Sequence, residues 1–215
     1  MIETMTVTMI VPVDRRRCKV FLDEGFAFVL YRGELEQYGI CEGFEISQKL
    51  YQRIEEEILE PRARDLCLGI LGDSDRSEHQ MRGCLARAGF PQTVVGRVMD
   101  YLREYRYTDD RRMAAYYVES RGRVKSKRQL AWELREKGID PETAREALEK
   151  APPEGEAIRR LIERRTGGRT PGSRKEWQKL YGYLGRKGFS FEEIRRVLGD
   201  VPERDESELP DRENP

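Results

Sequence analysis

Three times, about 50 residues apart, this 215-residue chain ends a helical run on a leucine, three intervening residues, a glycine and then an apolar residue. The segments are Cys84-Leu85-Ala86-Arg87-Ala88-Gly89-Phe90, Glu133-Leu134-Arg135-Glu136-Lys137-Gly138-Ile139 and Tyr183-Leu184-Gly185-Arg186-Lys187-Gly188-Phe189. Leu85, Leu134 and Leu184 are separated by 49 and then 50 residues. A repeat of this length marks a supersecondary unit used three times. Each glycine falls just past a helix end, where a left-handed backbone suits a residue without Cβ. The leucine four residues earlier and the apolar residue just after then form the hydrophobic contact of a Schellman ending. The pairs are Leu85–Phe90, Leu134–Ile139 and Leu184–Phe189.

Start signals complete each unit. Ser77, Ser126 and Ser173 each precede a Glu or Gln by three residues, the spacing of a capping box before the leucine-bearing helix. After each glycine an apolar-periodic stretch follows: Val94, Val98 and Met99; Ala144, Ala147 and Leu148; Ile194, Val197 and Leu198. Asp140-Pro141 reads as a cap followed by proline at the first helical position, and Ser190 to Glu193 reads as a capping box. Phe90-Pro91 lacks a polar cap. A further helix is expected before each of these pairs, over 62–71, 110–119 and 155–165. Each unit is thus three helices in 45–50 residues, marginal alone and able to share burial with its neighbours in tandem.

The N-terminal stretch has strand character instead. Thr6 to Val11 is β-branched and ends at Pro12. Cys18 to Leu22 and Phe26 to Leu30 flank Asp23-Glu24-Gly25 as a hairpin would. A short helix ended at Gly39 is expected over 32–40, a connector over 43–46, and a helical period from Ser47 through Leu50, Ile54 and Ile58 that Pro61 interrupts. The expected fold is mainly α: three tandem three-helix repeats in an elongated array, preceded by a small N-terminal β-hairpin module. The boundaries are 1–60 for that module, 61–107, 108–152 and 153–200 for the repeats, and 201–215 for a polar acidic tail expected to be disordered.

Charge is balanced overall, with 40 basic and 40 acidic residues, but unevenly placed. Residues 34–60 carry a net −6, residues 159–187 a net +8, and residues 203–215 a net −4. Such a layout suits one polyanion-facing surface and a solvated tail, and also ordinary charged helix faces. The four cysteines form no C-x-x-C pair, and His79 is the sole histidine, so neither a zinc site nor a disulfide framework is expected. Idle thiols in a reducing compartment, the absence of a membrane-length apolar run and the absence of a signal-peptide pattern give an expectation of a cytoplasmic protein.

The residues carry a family resemblance. Tyr107-Thr108-Asp109-Asp110-Arg111-Arg112-Met113-Ala114 resembles the RecX signature, in which an aromatic residue and an aspartate pair open a helix before a bulky residue and alanine. Gln129 through Ile139 resembles the family's "eL-x-x-KGI" ending, and Arg76-Ser77-Glu78 with Leu85 and Gly89-Phe90 resembles its first-repeat pattern. The strand-rich start is similar to the N-terminal extension of longer members, and the match runs to about Pro202. Lys125-Ser126-Lys127 stands where many members have a glycine, and Ser74-Asp75 replaces a more basic stretch. The resemblance implies a non-enzymatic regulator of homologous recombination and DNA repair in the SOS response. It implies binding to RecA nucleoprotein filaments, including their single-stranded DNA, with inhibition of RecA ATP hydrolysis and strand exchange. No cofactor, metal or membrane is implied, and a monomer is expected. The alternative is a general single-stranded nucleic-acid-binding helical repeat without RecA specificity.

Ten cations are the expected partner or DNA-binding set. Arg121, Arg123, Lys125, Lys127 and Arg128 straddle a helix junction in the middle repeat. Arg169, Arg174 and Lys175 mark the equivalent junction in the third, with Arg186 and Lys187 nearby. Equivalent junctions of an array fall on one side, so these groups form one stripe of salt-sensitive affinity. Asp109 and Asp110 read as a helix cap and not as an acid–base pair. His79 reads as a surface residue. The stretch 166–173 has the glycine spacing of a phosphate loop, but Ser173-Arg174 follows where Lys then Ser or Thr is needed, so it reads as a connector. Trp132 and Trp177 are expected to pack in the core.

Overall fold

The computed structural model describes residues 4–23 and 25–201. The chain divides into two compact units, residues 1–109 and 110–215.

The first unit opens with β1 (Thr4–Pro12), β2 (Arg17–Leu22) and β3 (Gly25–Tyr31), then α1 (Arg32–Tyr38) and β4 (Glu45–Ser47). All pairings are antiparallel, in the order β3-β2-β1-β4. The expected hairpin is β2–β3, with Leu22 opposite Gly25; Glu24 of its turn lies outside the described residues. The stretch 43–46, expected as a connector, supplies β4 instead. Met5 faces Ile46 and places that isoleucine in the core. Three residues are too few for a period-2 signal, and pairing with β1 decides the matter.

Ser47 caps α2 (Gln48–Ile54), accepting from the Leu50 amide at 3.3 Å. The helix does not break at Pro61. It passes through a π turn (Glu55–Leu59) directly into α3 (Glu60–Asp73). Proline lacks an N–H and crowds the carbonyl four residues back. The wider turn, in which the Glu60 amide donates to the Glu55 carbonyl, absorbs that conflict without ending the helix. Glu55 is buried and held by Arg97 at 3.2 Å and by the Thr93 hydroxyl, and Arg97 also reaches Glu60 at 2.8 Å. Arg97 sits in α5 (Gln92–Glu104), which follows α4 (Glu78–Arg87). The first repeat and the sheet therefore share one core, running from Val7 and Phe28 through Ile54 and Leu59 to Leu85 and Leu102.

The second unit holds the other two repeats. One is α6 (Asp110–Arg121), α7 (Lys127–Glu136) and α8 (Pro141–Glu149). The other is α9 (Glu154–Thr166), α10 (Arg174–Arg186) and α11 (Phe191–Leu198). The glycine endings hold throughout the chain. Gly89, Gly138 and Gly188 have φ of 85°, 76° and 91°, and Phe90, Ile139 and Phe189 donate to the carbonyls of Leu85, Leu134 and Leu184. Ser77 makes the full capping box. Ser126, Ser173 and Ser190 cap their helices, but the return arm is redirected. Gln129 donates to Glu133, Glu176 accepts from Gly172, and Glu193 pairs with Arg196. The two repeats bury separate clusters, one around Leu130 and Leu134 and the other around Leu180 and Leu184. Burial shared between neighbours thus describes the sheet and first repeat, whereas the second and third meet through polar and glycine contacts.

Candidate functional site

The start of α7 and the end of α10 meet in the second unit. The Ser126 hydroxyl accepts from the Gln129 amide at 3.1 Å and donates to the Lys187 carbonyl at 2.8 Å. One side chain thus caps α7 and ties it to the next repeat. A Cβ on Gly188 would stand 2.6 Å from that hydroxyl and 3.4 Å from the Arg128 Cβ, so this approach needs glycine. The Lys127 amide donates to Glu154 at 2.5 Å, which fixes the start of α9 against the same corner. Lys127, Arg128, Arg186 and Lys187 are thereby gathered around one junction, all exposed.

Other predicted cations sit elsewhere. Lys125 is turned inward: its ammonium lies 2.6 Å from Glu133, which also accepts from the Tyr117 hydroxyl at 2.7 Å. Burial raises the Glu133 carboxyl, but hydrogen bonds from Lys125 and Tyr117 outweigh it and hold the group below its ordinary value. Lys125 therefore contributes to packing of the repeat. Arg121 and Arg123 flank Gly122 at the end of α6, where a Cβ would meet Pro152 at 2.7 Å. Arg169 lines a hollow with Arg165, Thr170 and Lys179 in the connector before α10. Arg174 and Lys175 are exposed in the first turn of α10, where the helix dipole disfavours cations. The stretch 167–173 is a connector following Gly167 at φ 63°.

The two tryptophans part company. Trp177 is half-buried on the third-repeat core, and its indole donates to the Pro171 carbonyl at 3.1 Å. Trp132, expected in the core, is 55% exposed. The period of α7 turns Leu130 and Leu134 inward, which leaves position 132 on the outer side of the helix. There it walls a groove of 710 Å³ between α7 and α8, with Ala131, Ile139, Ala144 and Leu148 along it and Lys127, Arg128, Arg135 and Arg145 at its edges. Arg145 is paired with Glu149 at 3.0 Å.

A second basic surface escaped the sequence reading, although the run Arg15-Arg16-Arg17 was there to find. The β1–β2 turn and Arg32 enclose a shallow hollow. Asp14 accepts from the Arg16 and Arg17 amides at 2.8 Å and from the Arg17 guanidinium at 2.7 Å. The Arg16 amide, then Arg17, hold this carboxyl down to about 2. Arg15, Arg16 and Arg32 make no ion pair among the described residues. All four cysteines are free, and Cys67, raised by burial and then by neighbouring Cys84 to about 11, is a poor nucleophile. Among the described residues no group of three His, Cys, Asp or Glu side chains could hold a metal ion, and no helix is long and apolar enough to cross a membrane. Asp110 opens α6 directly after Asp109, and His79 is exposed.

Family models match each repeat in turn: the first three-helix domain of RecX over residues 63–102, the second over 109–148 and the third over 154–198. The chain belongs to the RecX family. The regulatory protein RecX of Thermobifida fusca is 37% identical over 139 residues, covering 62% of this RecX-family chain and 75% of that protein. That of Caldanaerobacter subterraneus subsp. tengcongensis is 29% identical over 199 residues, covering 90% and 98%. A crystal structure of regulatory protein RecX shares the fold with a TM-score of 0.59 at 24% identity, over 91% of this chain and all of that one. The RecX of Lactobacillus salivarius gives 0.57 at 19% identity, over 66% and 96%.

Proposed function

We propose that this RecX-family protein binds RecA nucleoprotein filaments and restrains them, inhibiting ATP hydrolysis and strand exchange by RecA in recombination and DNA repair. The observation that supports this reading best is the junction of the second and third repeats. There the Ser126 bond to the Lys187 carbonyl and the close approach of Gly188 set the backbones of Lys127, Arg128, Arg186 and Lys187 near one another, with all four residues exposed. Exposed cations brought together along the backbone suit a polyanion, and such affinity falls with salt. The partner is the filament, RecA together with its single-stranded DNA. Inhibition comes from occupying or bridging sites, with no bond chemistry, and the protein works as a cytoplasmic monomer in the SOS response. Its working divisions are a module over 1–60, repeats over 61–107, 108–152 and 153–200, and a tail over 201–215, of which 202–215 lie outside the described residues.

The test is RecA ATP hydrolysis on single-stranded DNA, titrated with this protein. Inhibition at levels too low to cover the DNA is expected. Inhibition only when the DNA is saturated would favour the second reading, a general single-stranded nucleic-acid binder. The exposed Trp132 beside arginines is the observation on that side, because aromatic faces and cations together bind such strands without regard to RecA.

A further inference from the structure

The three repeats can be superposed in sequence on their leucines, and the middle one departs from the other two at one face. Position 132 carries tryptophan, whereas the aligned positions of the first and third repeats are Gly83 and Gly182. Four residues on, the first and third repeats have Arg87 and Arg186. A Cβ on Gly83 or Gly182 would meet those guanidinium groups at 3.3 and 3.4 Å, so in both repeats the arginine lies back over the bare helix. The middle repeat has Glu136 there, and an indole occupies the surface instead. The groove beside it differs in the same way. In the third repeat the buried Tyr181 packs against Phe191 between α10 and α11, with the rings 5.4 Å apart, and the Tyr181 hydroxyl donates to the Gly199 carbonyl. The aligned residues of the middle repeat are Ala131 and Pro141, which leave the groove open.

We propose that the open α7–α8 groove is a nucleobase site for single-stranded DNA, with Trp132 as the stacking platform and Lys127, Arg128 and Arg135 as phosphate partners. This deepens the filament reading and rests on its premise that the protein meets single-stranded DNA. An amphipathic helix of a protein partner fits the same edge charges less well. It needs a row of apolar pockets spaced along its length. Here Ile139 and Ala144 are already buried, and the large exposed apolar surface of the groove is one flat indole. A flat π face suits any base and carries no sequence preference. Lys127, Arg128 and Arg135 make no ion pair among the described residues, whereas Arg145 is occupied by Glu149. Arginine's planar fork suits phosphate oxygens. Arg128 also lies beside Gly188, so the cationic edge of the groove borders the end of α10.

The experiment uses the full chain carrying Trp177→Phe, which leaves Trp132 as the sole indole, titrated with oligo(dT) in the absence of RecA. Quenching of the indole fluorescence is expected. Trp132→Ala is expected to weaken oligo(dT) binding roughly tenfold, with Trp132→Tyr retaining most of the affinity. Because Trp132 is exposed, both variants keep wild-type helicity by circular dichroism. Binding measured by anisotropy of a labelled oligo(dT) with no change in the indole would overturn the proposal. So would an affinity for oligo(dT) that Trp132→Ala leaves unchanged. RecA ATPase inhibition is measured on the same variants. Inhibition lost in Trp132→Ala while oligo(dT) binding stays intact would assign the groove to a protein partner and overturn the nucleobase site without touching the filament reading. Inhibition absent from the wild-type protein would end the filament reading, even if oligo(dT) still quenched Trp132.

Discussion

The second and third repeats follow one plan and spend it differently. Both end their middle helix on a left-handed glycine and cap it with serine, and both bury the same leucine. The third repeat then packs the buried Tyr181 against Phe191 at this face and ties Gly199, just after α11, to it through the Tyr181 hydroxyl. The second leaves that groove open, lines it with small residues and stands a tryptophan at its edge. In the third repeat an aromatic side chain at this face contributes to stability. In the second, it is available to a partner. A repeated backbone thus allows one copy to be specialised without redesigning the helix ends that hold it.

The sharpest way to break this comparison is to truncate the two aromatics in parallel. Tyr181→Ala is expected to cost about 3 kcal/mol, because it empties a packed site and removes a hydrogen bond. Trp132→Ala is expected to change stability by about 0.5 kcal/mol or less, since it removes a mostly solvated side chain. Thermal or denaturant unfolding measures both, and equal losses would show that the groove of the second repeat is a core after all. Next in size is the junction. Gly188→Ala places a methyl group within 2.6 Å of Ser126 at a φ of 91° and is expected to cost about 2 kcal/mol. Gly138→Val, at a φ of 76°, is expected to cost about 1–2 kcal/mol through backbone strain and loss of the helix ending. An unaltered melting temperature in either would remove the left-handed glycine from the account.

A smaller effect separates charges that bind from charges that fold. Lys127→Glu with Arg128→Glu is expected to weaken filament binding and to reduce its salt dependence by roughly one charge per residue, with helicity unchanged. Adding Lys125→Glu confuses that test, because it sets a second carboxylate against Glu133. That variant is expected to lower the melting temperature whether or not it alters binding. The smallest expected effect is on pH. The folded Glu133 carboxyl lies below its ordinary value of 4.5. Its contribution is therefore complete above that value and is lost as pH falls from there through the lower folded value. Acid titration of stability should show this loss in the wild-type protein and a smaller one in Glu133→Gln.

The arginine-rich β1–β2 turn shows where sequence reading stops. Arg15-Arg16-Arg17 is visible as a run, yet nothing local says that Asp14 takes up Arg17 and leaves Arg15 and Arg16 facing Arg32 across a hollow. Arg32 comes from the start of a different element and reaches the turn through its amide, which donates to the Arg16 carbonyl at 2.9 Å. Lys125 teaches the converse. In sequence it is one more member of a basic run, and only the fold sets Glu133 and Tyr117 beside it. Pro61 likewise signalled a break that a π turn avoids, because the carbonyl it would crowd belongs to a turn that can widen.

The chain by itself determined its helix ends, its repeat and its family. Those depend on contacts within a turn or two: a serine oxygen on an amide three residues on, a glycine free to adopt positive φ, a leucine meeting the residue five places later. Tertiary structure alone decided that the sheet and first repeat share one core, that a groove lies open beside Trp132, and which cations remain available. Each of those depends on what a neighbouring element supplies across the gap. A side chain's identity does not fix whether it meets a carboxylate, a ring or water.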